Sequence, residues 1–146
     1  MKRLTRKTYL KTIKNSVDCN VFKNFFIEED DKEIDAMQNG KLSCAFFVSG
    51  ILTMFGLIES IHGTIKGTIL DLEKSGWIRV DEPSPGDILI WEAKDCGTNA
   101  GHRHIGFYIG DNLAISNDYE KGTPIKHNWT YGDYGKIETI YTQAVS

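Results

Sequence analysis

Cysteine is scarce in this chain, and the few cysteines fall into no recognisable spacing. Cys19, Cys44 and Cys96 are an odd number, without a C-x-x-C pair and far below the density of a disulfide scaffold. At least one thiol is therefore free and a reducing compartment is the simpler expectation, with a Cys19 to Cys96 disulfide left open. Long hydrophobic runs are missing as well. The longest, Cys44 to Ile58, is interrupted by Ser49, Gly50, Thr53 and Gly56 and is too short to span a bilayer, so it reads as a buried helix. The basic start of the chain is not followed by an apolar stretch of about 7–15 residues with a small-residue cleavage site, which speaks against a Sec signal peptide. The expected location is cytoplasmic, or the cell wall after release or export by a non-Sec route. Nor is there an excess of charge. A formal net charge of −3 supplies no field that would hold a nucleic-acid backbone, so no nucleic-acid partner is expected.

What is present suffices for one core. With 146 residues, 40% of them hydrophobic, and no repeat or low-complexity linker, a single domain over 1–146 is expected. Its character changes near Pro83, dividing it into a helical part at about 1–80 and a sheet part at about 81–146. In the first part Thr5 to Asn15 is a weak amphipathic helix and Glu28 to Gln38 a second candidate. Lys2, Arg3, Arg6, Lys7, Lys11 and Lys14 read as a solvated face, and Glu28 to Asp31 as a solvated acidic cluster. After the Asn39-Gly40 turn comes the apolar helix from Cys44 to about Ile58, with Ser43 at its N-cap. Thr68 and Asp71 suggest a capping box for a helix ending at Gly76, with a start nearer Thr64 as the alternative. In the second part Pro83-Ser84-Pro85-Gly86 is a turn, Asp87 to Trp91 a strand and Gly97 to Gly101 a loop. His104 to Ile109 and Leu113 to Ser116 flank a hairpin turn, and further strands are expected at Pro124 to His127 and Ile137 to Tyr141. The class is α+β, helices packed on a mostly antiparallel sheet.

Cys44 follows directly on Ser43, where backbone N–H groups and the helix dipole favour negative charge. A thiol with a lowered pKa, reactive even at mildly acidic pH, is expected there. Buried core packing is the competing explanation, since Ala45, Phe46, Phe47 and Val48 follow at once. His104 opens a strand on which His104, Gly106 and Tyr108 share one face and Ile105, Phe107 and Ile109 the other. The small Gly106 leaves room beside the imidazole, which is suited to exchanging a proton with a thiol.

Three strings occur in order: Ser43-Cys44-Ala45-Phe46-Phe47-Val48, Pro85-Gly86-Asp87-Ile88-Leu89-Ile90-Trp91, and His104-Ile105-Gly106-Phe107-Tyr108-Ile109-Gly110 with Ala114-Ile115-Ser116-Asn117. In order and spacing this half of the chain, about Leu42 to Asn117, resembles the NlpC-like cell-wall cysteine peptidases and their CHAP amidase relatives. The resemblance implies a papain-like fold, in which the cysteine begins a central helix packed on an antiparallel sheet and the histidine heads a strand. It also implies a bacterial or phage enzyme acting on peptidoglycan, with Cys44 as nucleophile and His104 as base. The third member, which orients the imidazole, lies in the family on the strand after the histidine strand and is His, Asn, Gln or an acid, which brings either Ser116 or Asn117 to that place. Asn117 has the better chemistry, because its carboxamide oxygen accepts from an imidazole N–H. His127 is a further candidate, at the end of the next strand. The chain departs from many relatives in having Ser43 before the nucleophile and Ala45-Phe46 after it, and it lacks recognisable wall-binding modules.

The expected enzyme is a monomer without cofactor or metal, taking a peptidoglycan peptide or another amide as substrate. Three rivals stand beside it. His102 and His104, with Cys96 or His127, have the makings of a weakly specific zinc site. An inactive binding module would keep the fold without the chemistry. A papain-like toxin, deamidase or peptidase would direct the same chemistry at an intracellular protein amide or thioester.

Overall fold

A helix as apolar as Cys44-Ala45-Phe46-Phe47-Val48-Ser49-Gly50-Ile51-Leu52-Thr53-Met54 has to be covered on several sides, and the neighbouring elements are disposed to do so. In the computed structural model, which describes residues 1–94 and 102–144, the order is α1 (Thr5–Asn15), β1 (Phe26–Glu29), β2 (Lys32–Asp35), α2 (Cys44–Met54), α3 (Ile65–Lys74), β3 (Ile78–Val80), β4 (Ile88–Lys94), β5 (His102–Gly110), β6 (Leu113–Asn117), β7 (Pro124–Asn128) and β8 (Ile137–Thr142). Six strands form a sheet in the order β3-β8-β4-β5-β6-β7, each pair antiparallel. The class is therefore α+β.

Strand alternation separates two apolar layers. Ile88, Ile90, Ile105, Phe107, Ile115 and Tyr141 pack with Ala45, Phe47, Val48, Ile51 and Leu52 of α2. On the opposite face Leu89, Trp91, Tyr108, Ala114 and Ile140 form a smaller cluster, partly covered by Trp129. The helix α1 buries Tyr9 and Ile13 and leaves its lysines in solvent. Tyr9 Oη donates to the Gly86 carbonyl at 2.7 Å and Arg6 Nη2 to that of Pro85 at 2.9 Å, so α1 is fastened to the turn that starts β4. Asp87 shapes that turn, accepting from the Ser84 N–H at 2.7 Å and from Thr142 Oγ1 at 2.6 Å.

Two expectations change. Glu28 to Gln38 is not a helix, because β1 and β2 form a hairpin whose two-residue turn, Asp30-Asp31, has positive φ at both positions, a conformation that aspartate tolerates. The helix α2 stops at Met54 instead of near Ile58. Gly56 takes φ +67° while its N–H bonds the Thr53 carbonyl and that of Leu57 the Leu52 carbonyl, a Schellman end. For α3 the alternative start holds: Thr64, not Thr68, caps the helix, accepting from the Gly67 N–H at 3.0 Å. The strands expected between Asp87 and Tyr141 fall where alternation and turn signals put them, and β3 is an additional short strand beyond those expected. Cys96 and the loop Gly97 to Gly101 lie outside the described residues. Among those described, no helix is long and apolar enough to cross a membrane.

Asp71, buried inside α3, holds the segment between α2 and α3. Its carboxylate accepts from the N–H groups of Glu59 and Ser60, from Ser75 Oγ, and meets His62 Nε2 at 2.6 Å. Burial pushes its pKa up, but these hydrogen bonds, led by Glu59, outweigh it and hold the carboxyl at about 2. The unfolded carboxyl titrates near 3.9, so the stabilisation is full above about pH 5 and is lost as pH falls through 2. Replacing Asp71 by Ala should cost on the order of 2–4 kcal/mol in urea unfolding at pH 7. Lys74→Ala, which breaks only an exposed pair with Glu59, should change stability by less than about 0.5 kcal/mol.

Candidate active site

The N-terminus of α2 is unusual in what its cap does not do. Ser43 occupies the N-cap position, but its hydroxyl takes no N–H of the first turn and is buried without a hydrogen-bond partner among the described residues. The expected side-chain cap is thus absent. In its place the Ala45 and Cys44 N–H groups of the helix, together with the Ile105 N–H of β5, point at the Cys44 sulfur. The thiol lies against the residue that follows His104, in a residue that is half-buried as a whole.

His104 is buried, 6% exposed, on the face of β5 away from α2's core contacts. The space beside Gly106 is filled, contrary to expectation. A Cβ there would stand 2.7 Å from Ser116 Cβ, 2.9 Å from the Ile115 carbonyl and 3.1 Å from the Trp91 ring. Glycine therefore lets Trp91 and Ser116 close in around the imidazole. Trp91 lies 5.3 Å from the His104 ring, between centroids, and donates its Nε1–H to the Trp129 carbonyl. Its pairings with β5 and β8 both shift register at Trp91, a bulge that aims the strand end at the site.

Ser116 is the group that meets the imidazole. Its Oγ is 2.9 Å from His104 Nε2, 2.7 Å from His127 Nε2 and 3.3 Å from Tyr131 Oη. His127 Nδ1 is 2.7 Å from the Asn128 carbonyl, and its ring stacks on Tyr131 at 4.1 Å. Asn117, the favoured candidate for the third position, is the neighbour of Ser116 and points elsewhere. Its Nδ2 donates to the Gly40 carbonyl at 2.7 Å. The correction follows from strand period two, since Ser116 and Asn117 face opposite sides and only one can reach His104. Asn117 braces the chain leading to Cys44 instead. Gly40, at φ +95°, packs so close that a Cβ would overlap the Gly122 carbonyl oxygen, which ties the chain entering α2 to the turn between β6 and β7.

The chain matches no protein-family model and no curated protein. The chemistry of the site is therefore argued from its own groups.

His104 and His127 converge on the Ser116 hydroxyl, and the Cys44 sulfur lies against the N–H of Ile105, the residue after His104; Asn117 faces the other way. Tyr131 is the residue that sequence reasoning missed. Its loop is set by Asn128 Oδ1, which accepts from Thr130 N, Thr130 Oγ1 and Gly132 N, so the Asn128 to Gly132 turn pattern was the available signal. Two other tyrosines are used elsewhere: Tyr9 Oη donates to the Gly86 carbonyl and Tyr108 Oη accepts from the Asn112 N–H. His104 and His127 share the Ser116 hydroxyl, Cys96 lies outside the described residues, and among those described no cluster of three or more His, Cys, Asp or Glu is arranged to hold a metal.

Ionisation departs from the sequence expectation. Burial pushes the Cys44 thiol up to about 11, overriding the N–H donors of Ala45, Ile105 and Cys44. Burial also brings the His104 imidazole down to about 3, with the neighbouring His127 adding to the effect. At neutral pH the resting pair is a thiol beside a neutral imidazole, not a thiolate with an imidazolium. Alkylation of Cys44 by iodoacetamide should therefore be slow at pH 6 and keep rising through pH 9–10, by about tenfold per unit. A plateau reached below pH 7 in the rate profile would contradict this assignment.

Proposed function

We propose that this chain is a papain-like cysteine hydrolase that cleaves an amide bond in peptidoglycan, with Cys44 as nucleophile and His104 as base. The observation that carries the reading is the placement of the Cys44 thiol under the Ile105 N–H, next in sequence to a histidine whose far nitrogen is bound to Ser116. A nucleophile, a base and a group orienting that base are the three parts acyl transfer needs. Helices covering one face of an antiparallel sheet support the papain-like assignment. The wall substrate draws its support from the likeness of the Cys44, Pro85-Gly86-Asp87 and His104-Ile105-Gly106 strings to NlpC-like and CHAP-like enzymes.

In this mechanism the thiol proton passes to His104 as sulfur bonds the amide carbon, because neither group is charged beforehand. The oxyanion takes up hydrogen bonds from the first-turn N–H groups of α2 left uncapped by Ser43. The C–N bond then breaks, His104 delivers its proton to the departing amine, and water, deprotonated by His104, releases the acyl group from sulfur.

Purified protein incubated with muropeptides should release a new amine and a shortened fragment, read by mass spectrometry. Cys44→Ala and His104→Ala should each lower kcat/KM by on the order of 10³-fold or more. Equal turnover by wild type and Cys44→Ala would remove the cysteine from the mechanism.

A further inference from the structure

We propose that Ser116 and His127 act together as positioning residues, holding His104 in the tautomer with its proton on Nε2 through hydrogen bonds whose direction is set at the Asn128 carbonyl. A carbonyl oxygen only accepts, so the His127 Nδ1 facing it at 2.7 Å carries a proton. A neutral imidazole has a single N–H, and His127 Nε2 is therefore an acceptor. Ser116 has one proton to give and spends it there, at 2.7 Å. Its two lone pairs then accept from His104 Nε2 at 2.9 Å and from Tyr131 Oη at 3.3 Å. Tyr131 is suited to donating, because its phenol is pushed up to about 12, mainly by burial, and stays protonated. Every hydrogen-bonding site of the serine hydroxyl is thereby used. His104 is left with its basic lone pair on Nδ1, the nitrogen away from Ser116.

A serine alone cannot impose this order, since a hydroxyl donates or accepts with equal ease. The direction comes from His127, two strands away from the base, and from a main-chain group that no side-chain change reverses. Ser116 is 1% exposed, which also argues against its serving as a nucleophile in its own right. The catalytic consequence rests on the reading of His104 as the base for Cys44; the tautomer itself does not.

Long-range ¹H–¹⁵N NMR of the imidazoles tests the relay, using the Cys44→Ala chain at pH 8, where both histidines are neutral. His104 should show a protonated Nε2 and an unprotonated Nδ1. Adding Ser116→Ala, which removes the acceptor, or His127→Lys, which places a donor where an acceptor is required, should bring the two nitrogen shifts towards each other. His127→Gln keeps an oxygen able to accept from Ser116 and should restore the parent pattern. If Ser116→Ala does not fold, the Lys and Gln variants carry the same contrast. A proton on Nδ1 in the parent, or a His104 spectrum unchanged in His127→Lys, overturns the proposal. With the cysteine present, His127→Lys should lower kcat on muropeptides by on the order of 10²-fold with KM nearly constant, and His127→Gln should recover most of it. Shifts that behave as expected in a chain that cleaves no amide would uphold the relay and dismiss the hydrolase reading.

Discussion

The structure depends on the burial of α2 against the sheet. The Phe47 ring meets Phe107 of β5 edge-on at 5.3 Å and Phe22, from the chain before the hairpin, at 5.4 Å. Burying one such ring is worth on the order of 2–3 kcal/mol, and α2 brings Val48, Ile51 and Leu52 into the same core. Because Phe107 and His104 are three residues apart on β5, the contact that seats the helix also sets the distance from the start of α2 to the imidazole. Tyr9, edge-on to Phe107 at 6.2 Å, extends the grip to α1 and, through the Gly86 carbonyl, to the first residues of β4.

Much of this was legible before any coordinates. Alternation along β5 and the Gly110-Asp111-Asn112 turn located the central hairpin, and the apolar run after Ser43 located α2, since both patterns follow directly from burial. The errors fell where local chemistry competes with pattern. Glu28 to Gln38 offers acids and lysine at spacings a helix tolerates, yet two adjacent aspartates at positive φ make the hairpin turn. At the site, Cys44 and His104 drew notice because the strings around them are similar to those of a known family, and the structure sets the sulfur against the residue after His104. The partner of His104 was not legible, because choosing between Ser116 and Asn117 requires knowing which side of β6 faces inward. The ionisation was misjudged for a related reason: a position in sequence reveals the helix dipole, whereas desolvation depends on everything folded over it.

The two ends of α2 are built on opposite principles. At the C-terminus the Schellman bonds satisfy the last carbonyls. At the N-terminus the serine hydroxyl declines the N–H groups it is placed to take, and Asn117, Gly40 and Gly122 hold the incoming chain by other means. Stability given up at one helix end thus keeps donors available at the sulfur, a pattern common where a fold must support chemistry.

Burial of the Cys44 sulfur has a further consequence for how the protein endures its surroundings. Peroxides and disulfides react with thiolate, and a thiol at about 11 is ionised in only about one molecule in ten thousand at pH 7. A cysteine held in the thiol form reacts slowly with oxidants, which shields it from sulfenic acid and from mixed disulfides.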